Sequence, residues 1–246
     1  MAEYGPPDIP PPAVEAAPPG WSAALDPAEA LALLDRGGVA IWAIAALSVV
    51  TVTIILWKGW RLMAMGVWRR SLAAQAVALW LQDERVEALV LVKRGHGVRA
   101  RTLVATMSAI QELGYDASLA REESTRAAKE LLGQAGSGLR ALELIAAVAP
   151  LLGLFGTVLG MIAAFQALEE TGARADPAAL AGGIWEALLT TAAGMAVAIP
   201  AAVALAWFEG LIARLRRDME GMVSRVLTHT AHRERQEPAI AQRAAE

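Results

Sequence analysis

The sequence predicts an all-α fold: three transmembrane helices, a large cytoplasmic helical hairpin, and a long third helix extending into the cytoplasm. Composition is the first reason. Of 246 residues 56% are hydrophobic and only 19% charged, with a mean hydropathy of +0.41, whereas soluble domains carry about 25% charged residues. The second reason is that three uncharged or nearly uncharged stretches reach the ~20 apolar residues a bilayer crossing requires. No strand-like alternation of useful length competes with them.

Residues 1–36 read as a periplasmic arm. The first 20 residues hold seven of the twelve prolines, a composition that favours extended, unpacked chain. Asp26-Pro27 then reads as a cap and first helical position, starting a short helix over Ala28 to Leu34. The first span, 37–57, lies between Arg36 and Lys58, with Trp42, Trp57 and Trp60 near its ends as interfacial aromatics. The N-terminus is acidic and proline-rich, without a basic region before an apolar one, so the span is expected to stay as an uncleaved anchor.

Residues 58–143 form the expected hairpin. No proline occurs between Pro27 and Pro150, and apolar residues recur at helical spacing through Leu72, Val77, Leu79, Leu81, Val86, Leu89, Val90 and Val92. Arg94-Gly95-His96-Gly97 reads as a break. A second helix follows from about Val98 to Leu132, and Gly133 to Gly138 reads as a loop. The second span is 144–168, between Glu143 and Glu169. A periplasmic connection and the start of the third helix occupy 169–185, with Asp176-Pro177 as the cap. The third span is 186–208; between Asp176 and Glu209 the only charge is Glu186. Trp185 and Trp207 bracket it, ~33 Å apart at the helical rise. The tail, 209–246, is expected to continue the helix to about Ala231.

Lysine and arginine set the orientation. Residues 1–36 hold one basic residue, 58–140 hold 13, 169–185 hold only Arg174, and 209–246 hold seven. The positive-inside rule therefore places the N-terminus in the periplasm and the C-terminus in the cytoplasm of a multi-pass inner-membrane protein.

Several classes are excluded. The absence of cysteine removes disulfide frameworks, iron–sulfur centres and cysteine-ligated zinc. A net charge of −3 argues against nucleic acid as a partner. Gly153-Leu154-Phe155-Gly156-Thr157 lacks the lysine of a phosphate loop, and His229 and His232 lie in a charged tail without further ligands. No cofactor, metal or enzyme activity is expected.

Polar groups inside the spans are few, and each needs a reason because hydrocarbon penalises them. Glu186 is either a proton-pathway carboxylate or the solvated end of the third span. Thr190 shares its helix face one turn on, and Thr191 is adjacent. Gly153, Gly156 and Gly160 on the second span and Gly194 on the third are candidates for close helix contact. Thr157 lies in the same stripe and is open to either a packing or a pore role. Pro150 and Pro200 are candidate kinks, each removing one helical hydrogen bond.

The run Ala149-Pro150 through Gly153, Gly156-Thr157 and Gly160-Met161 resembles the second-span signature of the ExbB/TolQ/MotA proton-channel family. Ile184-Trp185-Glu186 through Thr190-Thr191, Gly194 and Ile199-Pro200 is similar to its third-span signature. Three spans with a large inner hairpin resemble the ExbB and TolQ branch. The resemblance implies a homopentamer around a dimer of an ExbD- or TolR-like single-span protein that supplies an intramembrane aspartate, with a TonB- or TolA-like protein beyond it. It also implies that Thr157 and Thr191 face that aspartate and that Glu186 lines the same lumen. Both hydroxyls of the 190–191 doublet stay candidates; the alignment to Gly194 favours Thr191. The rival expectation is a non-conducting scaffold whose glycines only assemble helices.

Overall fold

The computed structural model describes residues 38–68, 70–112, 117–171 and 177–245. The proline-rich arm, the short helix expected after Asp26-Pro27, and Asp176 lie outside them. Seven helices, and no strand, occur among the described residues. They are α1 (Gly38–Ala64), α2 (Ser71–Leu81), α3 (Arg85–Lys93), α4 (Val98–Glu112), α5 (Ala117–Gly136), α6 (Leu139–Thr171) and α7 (Pro177–Ala245). Three helical runs, on α1, α6 and the first part of α7, are long and apolar enough to cross a membrane.

Helix α1 buries a narrow seam. Ile44, Thr51 and Lys58, seven residues apart, lie on it with Ile41 and Leu62, while Val39, Val49, Val52 and Leu56 stay exposed. Exposed aliphatic side chains all round a helix are tolerated in lipid, not in water. The helix runs on past Trp57 and ends where Gly66 takes φ +65°. The Gly66 N–H donates to Met63 O and the Val67 N–H to Leu62 O, which satisfies two terminal carbonyls of the helix.

The apolar run from Leu72 to Val92, expected as one helix, is two. Between α2 and α3 the chain turns at Asp83, which adopts φ 66°, a conformation that aspartate tolerates better than most residues. The helix expected over Val98 to Leu132 is likewise two, α4 and α5, with 113–116 outside the described residues. The six-residue loop expected at 133–138 shrinks to a turn at Ser137 and Gly138, where Gly138 takes φ +85°. Helix α7 extends beyond Ala231, to Ala245. Neither Pro150 nor Pro200 breaks its helix: α6 and α7 are continuous through both.

Three apolar clusters follow one another along α7. Ile44, Ile145, Ala149, Val197, Ala198 and Ala201 join the three long apolar helices. Leu62, Leu131, Leu142, Phe208 and Leu215 come next. Trp80, Val92, Met107, Ile110 and Val226 then hold α2, α3 and α4 on the far part of α7. Each cluster removes side chains from water or lipid by stacking a shorter element on this one rod.

Candidate functional site

The site begins with backbones that can approach closely because side chains are missing. A Cβ on Gly153 would stand 3.0 Å from the Thr190 carbonyl oxygen and 3.0 Å from Thr191 Cα. One on Gly156 would stand 2.6 Å from Thr190 Oγ1, one on Gly160 2.9 Å from Ala187 Cβ, and one on Gly194 2.6 Å from Ala149 O. All four glycines therefore lie in the seam between α6 and α7, where small residues let helices pack without a hydrophobic drive from water.

Two hydroxyls meet in that seam. Thr190, 3% exposed, has its Oγ1 2.7 Å from Ala187 O and 3.2 Å from Gly153 O. Thr191 is half-buried and donates to the same Gly153 O at 3.1 Å. The Thr157 hydroxyl donates to Leu154 O, 2.7 Å away on its own helix, the usual way a membrane threonine satisfies itself.

Glu186 opens on a different space. With Thr190, Gly156, Gly160, Ala164, Gly183 and the first turn of α1, it lines a cavity of about 480 Å³. Neither Thr157 nor Thr191 borders this cavity. The helical repeat explains the separation: five residues apart, Glu186 and Thr191 point ~140° from each other around α7. Ala40 of α1 approaches Gly156 beside Thr190, so α1 covers the Glu186 flank, while Gly153 and Thr191 meet on the other. Glu186 and Thr190 thus share the cavity, while Thr190 and Thr191 both reach Gly153 O within the α6–α7 seam. Pro150 is half-buried and Pro200 exposed.

Lys58 directly follows the first expected span. It is fully buried, and its ammonium donates to the carbonyls of Ala135 and Ser137 at the end of α5. Arg61 Nη1 donates to Ser137 Oγ at 2.7 Å. The signal was present in the seven-residue spacing from Ile44 and Thr51, which puts Lys58 on the packed seam of α1.

Comparison with known proteins bears on the same residues. A model of the MotA/TolQ/ExbB proton channel family matches residues 96–221, a range that contains α4 to most of α7 and every candidate site residue. A Synechocystis protein named as the biopolymer transport protein ExbB-like 1 is 35% identical over 178 residues, 68% of this chain and 66% of its own. The biopolymer transport protein ExbB of Pseudomonas putida is 32% identical over 193 residues, 75% of this chain and 56% of its own. The biopolymer transport protein exbB1 of Vibrio cholerae is 44% identical over 87 residues, 35% of this chain. The chain spans 38% of the length of that Vibrio relative.

Proposed function

Because the chain belongs to the MotA/TolQ/ExbB proton channel family, in its ExbB branch, we propose that it is the channel subunit of an inner-membrane complex that couples proton-motive force to periplasmic or outer-membrane work. In this reading it forms a homopentamer, its N-terminus periplasmic and its C-terminus cytoplasmic, with α2 to α5 on the cytoplasmic side. A dimer of an ExbD- or TolR-like single-span protein sits in the lumen, contributes an aspartate, and passes movement to a TonB- or TolA-like protein.

One observation carries the reading. The α6–α7 pair presents hydroxyls at Thr157 and Thr191 on a flank that α1 does not cover, in helices otherwise faced with exposed Leu154, Phe155, Val158, Leu188 and Met195. Apolar surface of this kind supports burial against lipid or other copies, and the hydroxyl flank supports a polar guest. A carboxylate at Glu186 supplies the only ionisable group within the third apolar stretch. None of these residues completes a proton relay alone, which is the reason for a partner's acid.

The test is proton uptake by the complex copurified with its single-span partner and reconstituted with a trapped pH-sensitive dye. Thr191→Val and Glu186→Gln are expected to lower uptake about tenfold or more, the scale of a lost hydrogen bond to a charged group, with the oligomer's mass unchanged. Native uptake in both variants with intact oligomers would instead establish the scaffold.

A further inference from the structure

We propose that Thr190, facing away from the uncovered flank, is a positioning residue that controls whether the Thr191 hydroxyl is free to serve a partner's carboxylate. The inference rests on the proposed channel function and concerns how that site is switched.

The argument is a count of protons and lone pairs. A hydroxyl carries one hydrogen and a carbonyl oxygen has two lone pairs. In α6 the helical repeat assigns one lone pair of Gly153 O to the N–H of Thr157. One acceptor position remains, and two hydroxyls stand within reach of it: Thr190 Oγ1 at 3.2 Å and Thr191 Oγ1 at 3.1 Å. Thr190 has an alternative, Ala187 O at 2.7 Å.

Two arrangements follow. In the first, Thr190 donates to Ala187 O, and Thr191 is held by Gly153 O. In the second, Thr190 turns its hydrogen to Gly153 O, and the Thr191 hydrogen is released toward the uncovered flank. No backbone movement is needed, since 3.2 Å is already within hydrogen-bond range. No buried polar group is orphaned either, because a helical carbonyl such as Ala187 O keeps its helical N–H. The exchange is confined to the seam because glycine stands opposite: a side chain at 156 would reach within 2.6 Å of Thr190 Oγ1.

Both hydroxyls stand within reach of the same oxygen and are not bonded to each other, so Thr190 does not carry protons from the Glu186 cavity to Thr191. Its effect is on orientation. A carboxylate arriving at the uncovered flank stabilises the second arrangement by accepting the Thr191 hydrogen, and its departure returns Thr191 to Gly153 O.

The experiment uses the reconstituted complex with its single-span partner, and proton uptake normalised to assembled complex. Thr190→Val keeps the shape and loses the hydroxyl; Thr190→Ser keeps the hydroxyl and loses the methyl. We expect Thr190→Val, and Thr190→Ala should Val not assemble, to lower uptake roughly three- to tenfold, the range of one ordinary hydrogen bond. Thr190→Ser should rescue it, and Thr190→Val should add nothing in a Thr191→Val background. Native uptake in Thr190→Val, or an equal loss in Thr190→Ser, overturns the positioning role while the loss in Thr191→Val leaves the channel reading standing. Native uptake in Thr191→Val overturns the positioning role, and native uptake in both Thr191→Val and Glu186→Gln overturns the channel reading as well.

Discussion

Arg99 and Asp218 form a forked contact across 119 residues of sequence: guanidinium Nε and Nη2 both donate to carboxylate Oδ2, at 3.2 and 2.7 Å. Only 1% of the Arg99 side chain is exposed, against 29% of Asp218. A third donor, Nη1, reaches the Val67 carbonyl, and the Val98 N–H donates to Met65 O. The turn after α1, the start of α4 and the middle of α7 are therefore tied at one guanidinium.

Removing the acid should be costly, because it strands a buried charge. Loss of one partner from a fully buried pair costs ~3–5 kcal/mol; Asp218 is partly solvated, so Asp218→Asn is expected to cost about 2–3 kcal/mol after that discount. Arg70 also reaches Asp218 at 3.2 Å, but its side chain is 59% exposed, and Arg70→Ala should cost under ~1 kcal/mol. Thermal unfolding in detergent compares the two; equal losses would show that burial of Arg99 is not what matters.

Gly156→Ala places a methyl against Thr190 and Ala40, with 2.6 Å to the nearest atom. Overpacking of this kind costs ~1–3 kcal/mol. Gly221 is helical, exposed and has nothing within 4 Å of an added Cβ. There alanine should stabilise by up to ~1 kcal/mol through helix propensity. Paired melting curves with shifts of opposite sign are the expected result.

Lys58→Met keeps the aliphatic stem and removes the donor to Ala135 O and Ser137 O. Hydrogen bonds from a charged donor contribute ~1.5–3 kcal/mol each, offset in part by relief of a desolvated ammonium, so a net loss of about 2 kcal/mol is expected. Its local signature is faster amide exchange across 133–138. Lys58→Arg should not restore protection, since the broader guanidinium has no room at a fully buried position.

The long apolar helices were legible because lipid makes a demand that sequence states openly: about twenty residues without charge. The seam glycines were legible for a related reason, since Gly156 and Gly160 repeat at helical spacing beside Thr157. What escaped was set by distant partners. Asp83 turns the chain where the apolar pattern from Leu72 to Val92 runs on unbroken, and propensity alone does not mark a single left-handed residue. Lys58 looks interfacial until α5 ends beside it with carbonyls to satisfy. The separation of Glu186 from Thr191 could have been drawn from their five-residue spacing, but which flank α1 covers depends on Ala40 meeting Gly156, a contact between residues more than a hundred positions apart.

Helix α7 has the length of a lever as well as the packing of a wall. From Thr190 to Arg233, whose guanidinium meets Asp83 at 3.1 Å, it measures ~65 Å at the helical rise. A tilt of roughly 5° pivoting at Thr190 would sweep the far end by about 5–6 Å, one turn of helix. At that ratio, a shift among the seam glycines no larger than a side chain would correspond to a full-turn displacement where α7 meets Asp83.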